Sequence, residues 1–268
     1  MRNAIHTWGR SLGAVARSPL PVLALAVVAA LWCWAAYAWL GLPESSLLLL
    51  ALALLWAVVQ ILAVVALATA SVISAVGAVA TDARQLTLGS FVRVQRRQLR
   101  QTLLLAVAAT MAALLVGALF GWINAHALEV ASFLTFRSGK PVSHVVIEKV
   151  YAVIEGLLGI ALAGFFLSLL IQGLRDGWTQ ARKQVLRTLA ASCFRTPFLS
   201  AFLSVLIFGG LPYLLATWHP KVSPGFPDYA QMVARLGLAL VLLVVGWLFW
   251  ILSLSRLNRP PETPPPSA

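Results

Sequence analysis

Four arginines crowd into one short stretch of this chain. In residues 90–100, SFVRVQRRQLR, Arg93, Arg96, Arg97 and Arg100 are spaced by 3, 1 and 3. Helical periodicity puts four guanidinium groups on one face and Leu88, Phe91 and Leu99 on the other. The chemistry open to such a face is electrostatic, because a guanidinium fork holds phosphate oxygens bidentately. An apolar run of membrane length, LLLAVAATMAALLVGALF, follows almost at once. The nearest phosphates are then the headgroups of anionic lipid. The pattern recurs. Arg10 and Arg17 precede the first apolar run, and Lys183, Arg187 and Arg195 precede the fifth. The sequence predicts membrane-surface helices at 3–17, 85–100 and 178–195.

Other reactive side chains are few. Glu155 and Arg235 each lie about two turns inside an apolar run, where a charge is expensive unless paired. They read as an intramembrane ion pair, as two side chains snorkelling to the interface, or as the start of a substrate or proton site. Gln60 and Gln172 read as interhelical hydrogen-bond formers. His126 and His144 share a polar connection but have no cysteine or aspartate in metal-ligand spacing. HExxH, GxSxG, Walker and CxxC patterns are absent from the sequence, and an enzyme needs convergent polar groups. The expectation is therefore no catalytic residue, no metal and no cofactor. Cys33 lies in an apolar run and Cys193 in a basic segment, so a disulfide between them is not expected.

The elements that position these charges follow from composition. The chain is 60% hydrophobic and only 10% charged, with a net charge of +12. A water-soluble domain carries about 25% charged residues. Six apolar runs stand out, at 20–40, 47–80, 102–123, 150–174, 197–217 and 229–254. Each is long enough to cross about 30 Å of hydrocarbon as a helix. Small residues recur at spacing four in the second run (Ala66, Ala70, Ser74, Ala78) and the third (Ala109, Ala113, Gly117, Gly121), which permits close helix approach. Ala36-Tyr37-Ala38 resembles a signal-peptide cleavage site, but the first run exceeds the usual core of about 7–15 residues. An uncleaved first span is the preferred reading.

The basic residues set an orientation. With six spans both termini share a side, and that side receives fifteen of the 20 lysines and arginines. The positive-inside rule makes it the cytoplasmic side. It also accounts for the positive charge without nucleic acid. Residues 1–259 read as one all-α polytopic domain, and 260–268 as a disordered proline-rich tail. Arg10 to Arg93 and Arg17 to Arg100 share an offset of 83. That suggests three units, 1–80, 81–174 and 175–259, each a surface helix followed by two spans.

This plan, with the segment GLLGIALAGFFLSLLIQGLRDGWTQARKQVLRTLAASCFRTPF at 156–198, resembles a group of uncharacterised bacterial inner-membrane proteins. They include the membrane domain attached to some glycerophosphodiester phosphodiesterases and the YciC-like proteins. The shared features are a glycine-rich span, a short acidic turn and a basic helix before the next span. The Pro-Gly usual at the start of that span is replaced by Glu155-Gly156. The resemblance implies a six-span fold and brings no chemistry. The functional expectation is a non-enzymatic inner-membrane protein that contacts anionic lipid, and a membrane partner or a second copy of itself, through its basic helices. The alternative is a small transporter or permease subunit with a polar site near Glu155 and Arg235.

Overall fold

The computed structural model describes residues 2–41, 46–83, 85–87, 89, 96–218 and 226–258. Among them every regular element is a helix: α1 (Arg2–Ala16), α2 (Pro19–Leu40), α3 (Leu47–Ala80), α4 (Arg96–Ala125), α5 (Ala127–Ser138), α6 (His144–Arg175), α7 (Trp178–Lys183), α8 (Val185–Phe194), α9 (Thr196–Phe208), α10 (Gly210–Thr217) and α11 (Phe226–Leu257). Six segments are long and apolar enough to cross a membrane, and they match the six apolar runs. A helix is the solution lipid demands, since it satisfies every backbone N–H and C=O within one segment. The start of α3 is set by Ser46, whose hydroxyl accepts from the Leu49 N–H at 3.3 Å. The fifth span is interrupted at Gly209, dividing it into α9 and α10. Pro212 accounts for the break, because it lacks the N–H that would bond to Phe208.

The core lies at the end of the bundle that carries both termini. Leu248, Ile251, Leu252 and Leu254 of α11 are fully buried. Around them pack Val22, Leu25 and Ala26 of α2, Val72 and Ala75 of α3, Leu167, Leu170 and Ile171 of α6, and Ala14 and Val15 of α1. Helix α11 is the central post, touching α1, α2, α3, α6, α9 and α10. Its closest approach is to α9, where Gly246 faces Phe208 and a Cβ would collide with the phenylalanine Cβ. Hydroxyl side chains line these contacts without disturbing them. Thr69, Ser71 and Ser204 each bond back to the carbonyl four residues earlier, at 2.6, 2.7 and 2.8 Å, which satisfies a buried hydroxyl inside its own helix.

The other half of the bundle splays open. No residue of α2 after Ala26, of α6 before Ala161, or of 229–238 in α11 is buried, and in 47–64 only Ala53 is. Here α2 and α3 are held by tryptophans. Trp39 donates to the Ala53 carbonyl at 2.9 Å, Trp32 to that of Gln60 and Trp56 to that of Ala35, both at 3.3 Å.

The basic segments depart from expectation in two ways. First, 85–100 is not a separate surface helix throughout: Arg96 to Arg100 form the opening turn of α4, which continues unbroken to Ala125. The reason is proline. Arg17 and Arg195 are followed two residues later by Pro19 and Pro197, each in the first turn of the next helix, and a proline biases the preceding residue away from helix. Arg100 is followed by Gln101-Thr102, and Thr102 bonds back to the Gln98 carbonyl at 3.0 Å, so the helix carries on. Second, the buried faces of the short helices are not their most apolar stripes. In α1, Ile5 and Leu12 are exposed while Ala4, Ser11, Ala14 and Val15 are buried; in α8, Leu186 and Leu189 are exposed while Thr188 and Ser192 are buried. Beside lipid the large apolar side chains need no protein cover, and small or hydroxylated residues allow closer helix packing.

Candidate anion-binding site

Two cavities flank the C-terminal end of α11. The first, of about 510 Å³, opens between α1, the chain just beyond α3 and the end of α11. Arg10, Arg17 and Arg256 line it with His6, against the carboxylate of Asp82. Gly9 and Gly13 form its floor, where a Cβ would meet nothing within 4 Å, so the missing side chains are what leave room there. Helix α1 is pinned in place by Trp8, whose indole N–H donates to Ser200 Oγ in α9 at 2.6 Å. Ser11 Oγ lies 3.5 Å from a guanidinium nitrogen of Arg256.

The second cavity, of about 380 Å³, lies between the end of α6, the inner face of α8, the first turn of α9 and the end of α11. Its arginines are Arg175, Arg187 and Arg195, against the carboxylate of Asp176. Helices α7 and α8 reach this position by folding back on α6. Gly177 turns the chain at φ +88°, and Gly173 leaves space for the Trp178 ring, which a Cβ would approach to 2.8 Å. Asp176 is clasped by its neighbour, with Arg175 Nε and Nη2 donating to its two oxygens at 2.7 and 2.6 Å. Gln172 accepts from Thr188 Oγ1 through Oε1 at 3.1 Å. That is the interhelical bond expected of Gln172, made here between α6 and α8.

The arginines singled out from sequence therefore divide. Arg10 and Arg17 share the first cavity, and Arg187 and Arg195 the second. Lys183, Arg96 and Arg100 are exposed and line neither. Arg93 lies outside the described residues, as does the side chain of Arg97. Arg256, Arg175, Asp82, Asp176 and Asn258 complete the cavities and were not anticipated. The signal available for them was only that each stands at the end of an apolar run on the basic side.

Glu155 and Arg235 do not meet. Among the described residues the ion pair within 4.0 Å is Arg175–Asp176. Glu155 is half-buried in a groove between α4 and α6, beside Ala113, Gly117 and Gly159. Arg235, also half-buried, keeps Nε and one terminal nitrogen buried without a partner. Glu155 lies against α4 in a groove that Arg235 does not line.

Compared with known proteins, the chain matches no family model, no curated protein and no solved structure.

Proposed function

We propose that this chain is a non-enzymatic inner-membrane protein that holds anionic lipid headgroups at its basic, cytoplasmic end and presents that end to a membrane partner or a second copy of itself. The observation that carries the reading is the pair of arginine-lined cavities flanking α11, each with three arginines against one carboxylate. Both open where the apolar segments end, the depth at which headgroup phosphates lie. Arginines there couple the protein to leaflet charge, at about 1 kcal/mol per basic residue near an anionic surface. The resemblance of residues 156–198 to the six-span inner-membrane group agrees with this reading and adds no activity to it.

The test is the full chain in nanodiscs of phosphatidylcholine with and without phosphatidylglycerol. Anionic lipid should raise the unfolding temperature, and high salt should erase part of the gain because exposed charges are screened. Equal stability in both lipids would refute the reading. Reporter fusions after Arg187 and Arg259 should report cytoplasm, and a fusion near Lys140 periplasm.

The transporter alternative draws on two observations, the break at Gly209 and the unpartnered nitrogens of Arg235. Broken spans and polar groups at mid-depth are features of transporters. Against it, Glu155 and Arg235 form no ion pair, and Arg235 does not line the groove that holds Glu155.

A further inference from the structure

We propose that the cavity between α6, α8 and α11 is a discrete phosphate-ester site, distinct from the general positive charge of this end of the protein. The inference rests on the basic-end reading and makes it specific. What separates this cavity from a solvated basic patch is its account of donors and acceptors. Three side-chain acceptors are engaged: both Asp176 oxygens take N–H groups from Arg175, and Gln172 Oε1 takes the Thr188 hydroxyl. The donors are left over. Arg175 Nη1 and Asn258 Nδ2 are buried and have no hydrogen-bond partner. Arg187 and Arg195 stand at the mouth, and neither pairs with a carboxylate among the described residues. A buried N–H without an acceptor is costly, so these two donors, with the guanidinium groups of Arg187 and Arg195, favour a ligand made of acceptors.

The charge balance selects an anion. Helices α6 and α11 both end here, and their C-terminal carbonyls oppose one, but each helix end amounts to only about half a charge. The first turn of α9 opens onto the cavity through Thr196 and Pro197 and contributes the opposite sign. Arg175 neutralises Asp176, so Arg187 and Arg195 leave two positive charges in excess, and these decide the outcome. The space, about 380 Å³, admits a phosphate with a small polar substituent, and arginine forks match its oxygens in pairs. The first cavity differs in the respect that matters. Its Asp82 makes no ion pair within 4.0 Å among the described residues, though it lies in electrostatic reach of Arg256, so its oxygens are not taken up as those of Asp176 are.

The test uses the full chain in phosphatidylcholine nanodiscs. Two probes are titrated, inorganic phosphate and short-chain phosphatidic acid, with phosphorus NMR and native mass spectrometry as readouts. Three variants are compared: Arg187→Gln with Arg195→Gln, Asn258→Asp, and Arg96→Gln with Arg100→Gln, which are exposed and line neither cavity. The wild type should take up one tightly held phosphate ester. The α8 double variant and Asn258→Asp should each weaken it at least about tenfold, about 1.4 kcal/mol, while the α4 double variant should leave it unchanged. Asn258→Asp is nearly isosteric, so its unfolding temperature without ligand should match that of the wild type and separate lost binding from lost fold. Competition by inorganic phosphate would identify a soluble phosphate as the source; binding of phosphatidic acid alone would identify a lipid headgroup. Equal weakening by the α4 and α8 variants would overturn the site and leave the basic-end reading standing. Absence of any preference for anionic lipid in the wild type would overturn both.

Discussion

Trp8 and Ser200 are 192 residues apart in the chain, and the indole N–H of one donates to the hydroxyl of the other at 2.6 Å. This bond joins the short N-terminal helix to the first turns of the fifth span. It decides that α1 belongs to the folded bundle and is more than a segment resting on the bilayer. Ser200 is fully buried, so its oxygen has no water to fall back on.

Trp8→Phe keeps the ring and removes the donor. The loss should be about 1–2 kcal/mol, the cost of stranding one buried polar group. Thermal unfolding in detergent measures it, and limited trypsin cleavage at Arg10 and Arg17 should quicken in the variant. Unchanged cleavage would mean that α1 is held by its apolar contacts alone.

Gly246→Ala should be among the most damaging single substitutions in the chain. Its methyl would collide with the Phe208 Cβ, an atom fixed to the backbone that cannot swing away. Overpacking of this kind costs about 1–3 kcal/mol. Gly237→Ala, in the same helix with nothing within 4 Å of the added atom, is the matched comparison and should be neutral or slightly stabilising. Equal melting temperatures for the two would show that α9 can retreat from α11.

Glu155 and Arg235 form no ion pair within 4.0 Å, so their substitutions should be independent. The effects of Glu155→Gln and Arg235→Gln on unfolding temperature should sum in the double variant to within about 0.5 kcal/mol, as for residues that share no partner. A double variant clearly more stable than that sum would restore the ion pair and strengthen the transporter reading.

Stability should run along the bundle axis. Amide hydrogen exchange in detergent should be slowest at 248–254 and much faster at 229–238 of the same helix, because local opening follows the density of buried contacts. Trp39→Phe, which removes the bond to the Ala53 carbonyl at 2.9 Å, should quicken exchange in the outer half of α3 and leave 248–254 untouched. Uniform protection along α11 would contradict the splayed arrangement.

Much of the architecture was determined by the sequence alone. Six apolar runs of sufficient length can be nothing but helices where lipid offers no hydrogen bonds, and each of the six segments lies where its run lies. Ala70 and Ser74 of the small-residue stripe in the second run are buried, as close helix approach requires, but Ala113, Gly117 and Gly121 of the matching stripe in the third run are exposed, because spacing alone does not decide which face meets a neighbour. The fate of the basic segments was not read from their arginines. It depended on Pro19 and Pro197, which separate α1 from α2 and α8 from α9, and on the lack of a proline after Arg100. The buried faces of α1 and α8 are not set by exclusion of apolar residues from water, because that rule for soluble helices does not operate against lipid. Ile5 and Leu186 turn outward, and Ser11 and Ser192 turn in. Only the tertiary structure could bring Asn258 beside Arg175 and Arg187, because the ends of α6, α8 and α11 meet through helix packing that leaves no local pattern in the chain. For the same reason Glu155 and Arg235, which look matched when depth is counted along the sequence, lie apart: depth is set by position along a helix, but pairing requires two helices to turn those faces toward each other.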